Sequence, residues 1–156
     1  MNAPLKFLLP VDGSHHALAA VRHALRLAPP GSSFVLVNVQ EPASLYEVVV
    51  AHDAERIAEV KREAGADLLR SAEALLDAAG AAYESEVVAG VPEHLIIDLM
   101  ENYGCDAIVL GARGRGAPDD ARGLGRITRA VLEASAVPVT VVRPPSAAPE
   151  APAAAA

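Results

Sequence analysis

The chain reads as an α/β protein built on a parallel, doubly wound five-stranded sheet with helices on both faces. Three observations predict this. Short aliphatic runs recur at residues 5–11, 34–39, 107–110 and 137–142, as strands buried on both faces require. Segments with apolar residues at helical spacing lie between them. Turn residues mark the joints: Asp12-Gly13-Ser14, Pro29-Pro30-Gly31, Gly80 and Gly104.

Residues 5–11 form a first strand that places Pro10 near its end, where loss of a ladder donor is tolerable. Asp12-Gly13-Ser14 turns the chain, and Ser14 or Asp12 caps the helix that follows. Leu18, Val21 and Leu25 give that helix its inner face until the Pro29-Pro30-Gly31 stop. Residues 34–39 are a second strand. Residues 40–52 read as strand or helix, because Val48-Val49-Val50 suits either. A long helix over residues 53–79 presents Ile57, Val60, Ala64, Leu68 and Leu75 inward. Residues 83–89 make a third strand with Glu84 and Glu86 on one face, as an edge strand can.

Pro92 opens the next helix, whose stripe is Leu95, Ile96, Leu99 and Met100 and whose stop is Gly104. Residues 107–110 are a fourth strand. A glycine- and arginine-rich loop over residues 111–125 leads into a short helix with Ile127, Val131 and Leu132 inward. Residues 137–142 are the fifth strand. Residues 144–156 contain only Pro, Ser, Ala and one Glu, and four prolines block regular pairing. They are expected to be disordered, leaving a single domain over residues 1–143.

Apolar residues make up 52% of the 156-residue chain and charged residues 21%, enough to offset ordering entropy and to exclude a wholly disordered protein. Thirteen basic against 20 acidic residues give a net charge of −7, which repels nucleic acid and anionic membranes. Five aromatics leave little surface for stacking bases. The single cysteine, Cys105, forms no intramolecular disulfide and reads as an inert buried thiol. No apolar run is long enough for a signal core or a membrane span, so the chain is expected to be cytoplasmic. The histidines (His15, His16, His23, His52 and His94) form no i, i+4 pair, and no metal site is expected. No nucleophile elbow or paired acid and base is present, and no catalytic residue is assigned.

In open α/β sheets ligands bind at the carboxyl ends of strands, where the winding reverses. Two segments fall at such ends: Val11-Asp12-Gly13-Ser14, and the loop GARGRGAPDDARGLGR over residues 111–126. Glycines let backbone approach a ligand, and the amides that open a helix are unpaired donors with partial positive charge. Five arginines (Arg113, Arg115, Arg122, Arg126 and Arg129) stand against Asp119 and Asp120 here, reversing the sign of the chain as a whole. The Walker and G-x-G-x-x-G patterns are not met. From its residues alone the loop reads as a phosphate cradle or as a solvated surface loop.

Residues 4–143 resemble the universal stress protein family, through LLPVDGS (8–14), VAGVPEHLIIDLMENYGCDAIVLGARGRG (88–116) and GRITRAVLEASAVPVTVVR (125–143). The resemblance implies a Rossmann-like fold of the adenine nucleotide α hydrolase-like kind, with strand order 3-2-1-4-5 and the switch between strands one and four. Members divide into ATP-binding and nucleotide-free types. The ATP-binding motif is G-x₂-G-x₉-G-[S/T]. Gly111 and Gly114 match its first half, but Gly125 comes after ten intervening residues and Arg126 stands in place of Ser or Thr. The implied nucleotide site has Pro10, Val11 and Asp12 at the adenosine end, with the Val39 backbone meeting adenine. Gly111, Arg113, Gly114, Gly125, Arg126 and Ile127 line ribose and phosphates. Arg126 would either meet a phosphate or point into solvent.

The implied function is that of an ATP-binding regulatory or protective stress protein. The alternative is a nucleotide-free dimeric interaction module. ATP is the expected ligand, with Mg²⁺ as a companion that Asp119-Asp120 could hold, and any hydrolysis would be slow. Residues 137–142 offer a bare sheet edge for pairing with a second copy, as family members do.

Overall fold

The computed structural model describes residues 2–42, 44–116 and 122–145. The elements are β1 (Lys6–Pro10), α1 (His15–Leu27), β2 (Ser33–Gln40), α2 (Leu45–Ala51) and α3 (Ala54–Ala78), followed by β3 (Ala82–Ala89), α4 (Pro92–Asn102), β4 (Ala107–Gly111), α5 (Arg126–Ala134) and β5 (Val139–Val142). The strands pair in the order β3-β2-β1-β4-β5, every pair parallel. The winding therefore reverses between β1 and β4, as expected.

Alternation along the strands divides the core into two layers. Phe7 and Leu9 of β1, Phe34 and Leu36 of β2, and Val109 of β4 face α1 and α3. Leu8, Val35, Val37, Ile108 and Leu110 face α4 and α5. This two-sided burial is why the strand sequences run continuously apolar. The Phe7 and Phe34 rings stack with centroids 5.6 Å apart. Cys105 is buried beside the second layer, and burial pushes its thiol up to about 11, so it is no nucleophile at neutral pH.

One open reading closes and two helix faces differ from expectation. Residues 45–51 are helical, started by a capping box in which Ser44 Oγ accepts the Glu47 N–H and the Glu47 carboxylate accepts the Ser44 N–H. The inward face of α3 is Gly65, Leu69, Ala72 and Leu76, one position beyond the expected stripe, while Val60 is 57% exposed. Two causes act together. The helix needs a residue without a side chain where it crosses the sheet: a Cβ on Gly65 would sit 2.6 Å from Val87 Cγ1 and 2.7 Å from Asn38 Oδ1. At 25 residues, α3 is also about 37 Å long by helical rise, longer than the strands it covers, so its first turns overhang. On α5, Leu132 is 38% exposed rather than inward, and Thr128 and Val131 are the buried residues. The helix has only nine residues and covers a narrow strip beside β5, which leaves room for one stripe.

The edges of the sheet are β3 and β5. The fifth strand is shorter than expected, beginning at Val139 after Pro138 rather than at residue 137. Of the tail expected to be disordered, residues 146–156 lie outside the described residues.

Gly65→Ala is expected to destabilise the protein by about 1–3 kcal/mol through overpacking, despite the better helix propensity of alanine. A urea denaturation midpoint that falls agrees with this packing; one that rises contradicts it.

Candidate functional site

Chain reversal at the switch point opens a crevice. After β1 the chain turns onto the α1 face. After β4 it leaves for α5 on the other face. The first turn is built by Asp12-Gly13-Ser14. Gly13 takes φ +84°, which favours glycine. Asp12 Oδ1 accepts the Ser14 N–H at 2.9 Å, and Ser14 Oγ caps α1 by accepting the Ala17 N–H at 3.1 Å.

The second turn depends on close approach. A Cβ on Gly111 would lie 2.6 Å from His16 Cβ and 2.7 Å from the His16 carbonyl carbon. The end of β4 thus rests on the backbone of α1. The loop is then closed by the Gly125 N–H donating to the Ala112 carbonyl at 2.8 Å, and by the Ala112 N–H donating to the Val142 carbonyl at 2.9 Å. Asp12 joins the two turns: its Oδ2 accepts the Arg115 N–H at 3.0 Å, and a Cβ on Gly114 would sit 2.8 Å from that oxygen.

Between them lies a cavity of about 210 Å³. Every residue of the implied nucleotide site lines it: Pro10, Val11, Asp12, Val39, Gly111, Arg113, Gly114, Gly125, Arg126 and Ile127. Val37, Ile96 and Leu110 give it apolar walls. Gly125 is the N-cap of α5 and offers no side chain to its first-turn amides. Asp119 and Asp120, which could hold Mg²⁺ or stand as a solvated loop pair, lie outside the described residues. Among the described residues there is no cluster of three or more His, Cys, Asp or Glu that could hold a metal, and no helix long and apolar enough to cross a membrane.

Three residues that the sequence did not reveal shape the site. Asn38 is buried in β2, donating from Nδ2 to the Val11 carbonyl at 2.8 Å and accepting from Gln40 Nε2 at 2.6 Å, and so fixes the end of β1. Its signal was a lone amide in an aliphatic strand. Thr128 supplies a hydroxyl two positions beyond the motif, and spends it internally by donating to the Gly111 carbonyl at 2.8 Å. Glu93 opens α4 and accepts from Arg126 Nη1 at 2.7 Å. Arg126 is therefore neither free nor simply turned to solvent. The Glu93 carboxyl is held below the usual carboxylate range by its own backbone N–H, against an opposing effect of burial, and further by the Arg126 guanidinium. Buried polar atoms without a partner, among the described residues, are His16 Nδ1, Glu93 Oε2 and Arg113 Nε.

Residues 5–143 match the model of the universal stress protein family. The chain belongs to that family. A universal stress protein of Methanocaldococcus jannaschii is 28% identical over 145 residues, covering 92% of this chain and 85% of its own. Among solved structures, UspA from Lactobacillus plantarum superimposes with a TM-score of 0.74 at 24% identity, covering 91% of this chain and all of the other. A universal stress protein family member from Arabidopsis thaliana, with AMP bound, gives a TM-score of 0.63 at 18% identity, covering 94% and 97% of the two chains. These likenesses agree with the strand order of the sheet.

Thr128→Val is expected to lower stability by about 1–3 kcal/mol, because the buried Gly111 carbonyl loses its donor. Chemical denaturation that shows no loss would contradict the role given to this bond.

Proposed function

We propose that this universal stress protein binds an adenine nucleotide, ATP being the first expectation, in the cavity between β1 and β4. One observation carries the reading: three glycines at the mouth of an apolar-walled cavity leave backbone amides and the open first turn of α5 facing a ligand-sized space. The AMP bound to the Arabidopsis thaliana relative supports the chemical class. The apolar walls suit a base. The Val39 backbone suits its edge, and Asp12 suits a ribose hydroxyl. The α5 amides and Arg113, with its unpartnered Nε, suit phosphate oxygens.

Turnover is expected to be slow. Asp12 already accepts two backbone N–H groups and Glu93 is paired with Arg126, so neither is a free base for water. The output is then regulatory or protective, through nucleotide-dependent shape or choice of partner. The bare edge of β5 supports pairing with a second copy. The nucleotide-free interaction module is the competing reading. The Arg126–Glu93 pair favours it, because it already satisfies the cation where the motif expects a hydroxyl.

Equilibrium dialysis against ATP and AMP tests the proposal. Saturable binding at one site per chain, lost in Gly114→Val, is the expected result. No saturable binding at millimolar nucleotide overturns it and leaves the interaction module.

A further inference from the structure

One of the two arginines at this cavity is paired before any ligand arrives. Arg126 and Arg113 line the cavity, and so does Asp12. Arg126 is joined to Glu93 by an ion pair of 2.7 Å. Glu93 sits in the first turn of α4, directly after Pro92, which is itself a lining residue. Its side chain is 20% exposed, against 67% for Arg126, so the carboxylate is the anchored partner and the guanidinium the one that reaches over from the α5 side. The second carboxylate oxygen, Oε2, is buried and has no partner among the described residues. The carboxylate holds Arg126 by one bond.

We infer that Glu93 is a specificity-determining residue, which ranks adenine ligands by phosphate charge because its carboxylate already stands on the Arg126 guanidinium that a phosphate would contact. The inference rests on the nucleotide reading of the cavity and deepens it. A guanidinium can serve a carboxylate or a phosphate with the same donors. When the carboxylate is displaced it remains close by, a negative charge beside the incoming phosphate. Each added phosphate raises that opposition, while the base and ribose are unaffected by it. The unaltered protein therefore discriminates against longer phosphate chains relative to a site with a free arginine. Arg126, in place of the motif hydroxyl, comes with the Glu93 carboxylate already on its guanidinium.

Calorimetric titration of adenosine, AMP and ATP into the full chain and into Glu93→Gln tests this. The ratio of ATP to adenosine affinity is expected to rise about tenfold in the variant, with AMP intermediate. The gain should shrink, but not vanish, when Arg126→Gln is combined with it, since the freed guanidinium supplies part of it and relief of repulsion the rest. An unchanged ratio overturns the assignment of Glu93 alone. So does a gain undiminished without Arg126, and so does an equal change for all three ligands, which would mark a merely structural role. Failure of all three ligands to bind the unaltered protein overturns the nucleotide reading itself, and this inference with it.

Discussion

The site depends on two stretches of backbone passing closer than side chains would permit. At Gly111 the end of β4 lies against the His16–Ala17 backbone of α1, where a Cβ would find atoms at 2.6, 2.7 and 3.0 Å. That contact places the carbonyl of Gly111 under the Thr128 hydroxyl and the amide of Ala112 on β5. From there the Gly125 N–H returns to Ala112, and α5 starts at the cavity mouth without a side-chain cap. A larger residue at position 111 would push β4 away from α1 and pull each of these bonds in turn. The cavity follows from the topology, because neighbouring parallel strands whose connections leave for opposite faces must part at their carboxyl ends. The glycines determine how much backbone is exposed within it.

Electrostatics at the site is local rather than global. The chain carries −7 overall, yet its basic residues gather in the loop after β4. Of these, Arg126 is taken by Glu93, while Arg143, just past β5, reaches the loop's Gly123 carbonyl at 3.2 Å. Arg113 alone among the lining cations has a buried nitrogen without a partner in the described residues. Asp12, the one acid of the first turn, acts as a joint between two loops by accepting a backbone amide from each.

Much of the fold was legible because two-sided burial leaves no choice but continuous aliphatic strands, and the order of strands and helices then limits the topology. The elements that misled did so for identifiable reasons. Three consecutive valines leave α2 open between strand and helix, and the capping box of Ser44 and Glu47 decides for helix. Leu68-Leu69 and Leu75-Leu76 allow two stripes on α3, and only the fit of Gly65 against Val87 and Asn38 decides between them. The glycines of the site were readable since close backbone approach requires that residue type. Glu93 was not, because its partner is 33 residues away and the pairing exists only once α4 and α5 lie side by side.

The central claim is that the glycine-lined cavity receives a nucleotide through backbone amides. Amide chemical shifts of ¹⁵N-labelled protein, followed during titration with AMP, report on this residue by residue. The account predicts saturable shifts of the Gly114, Gly125, Ile127 and Val39 amides with a common affinity. Shifts that spare these four while moving the exposed faces of α2 or β3 would contradict it.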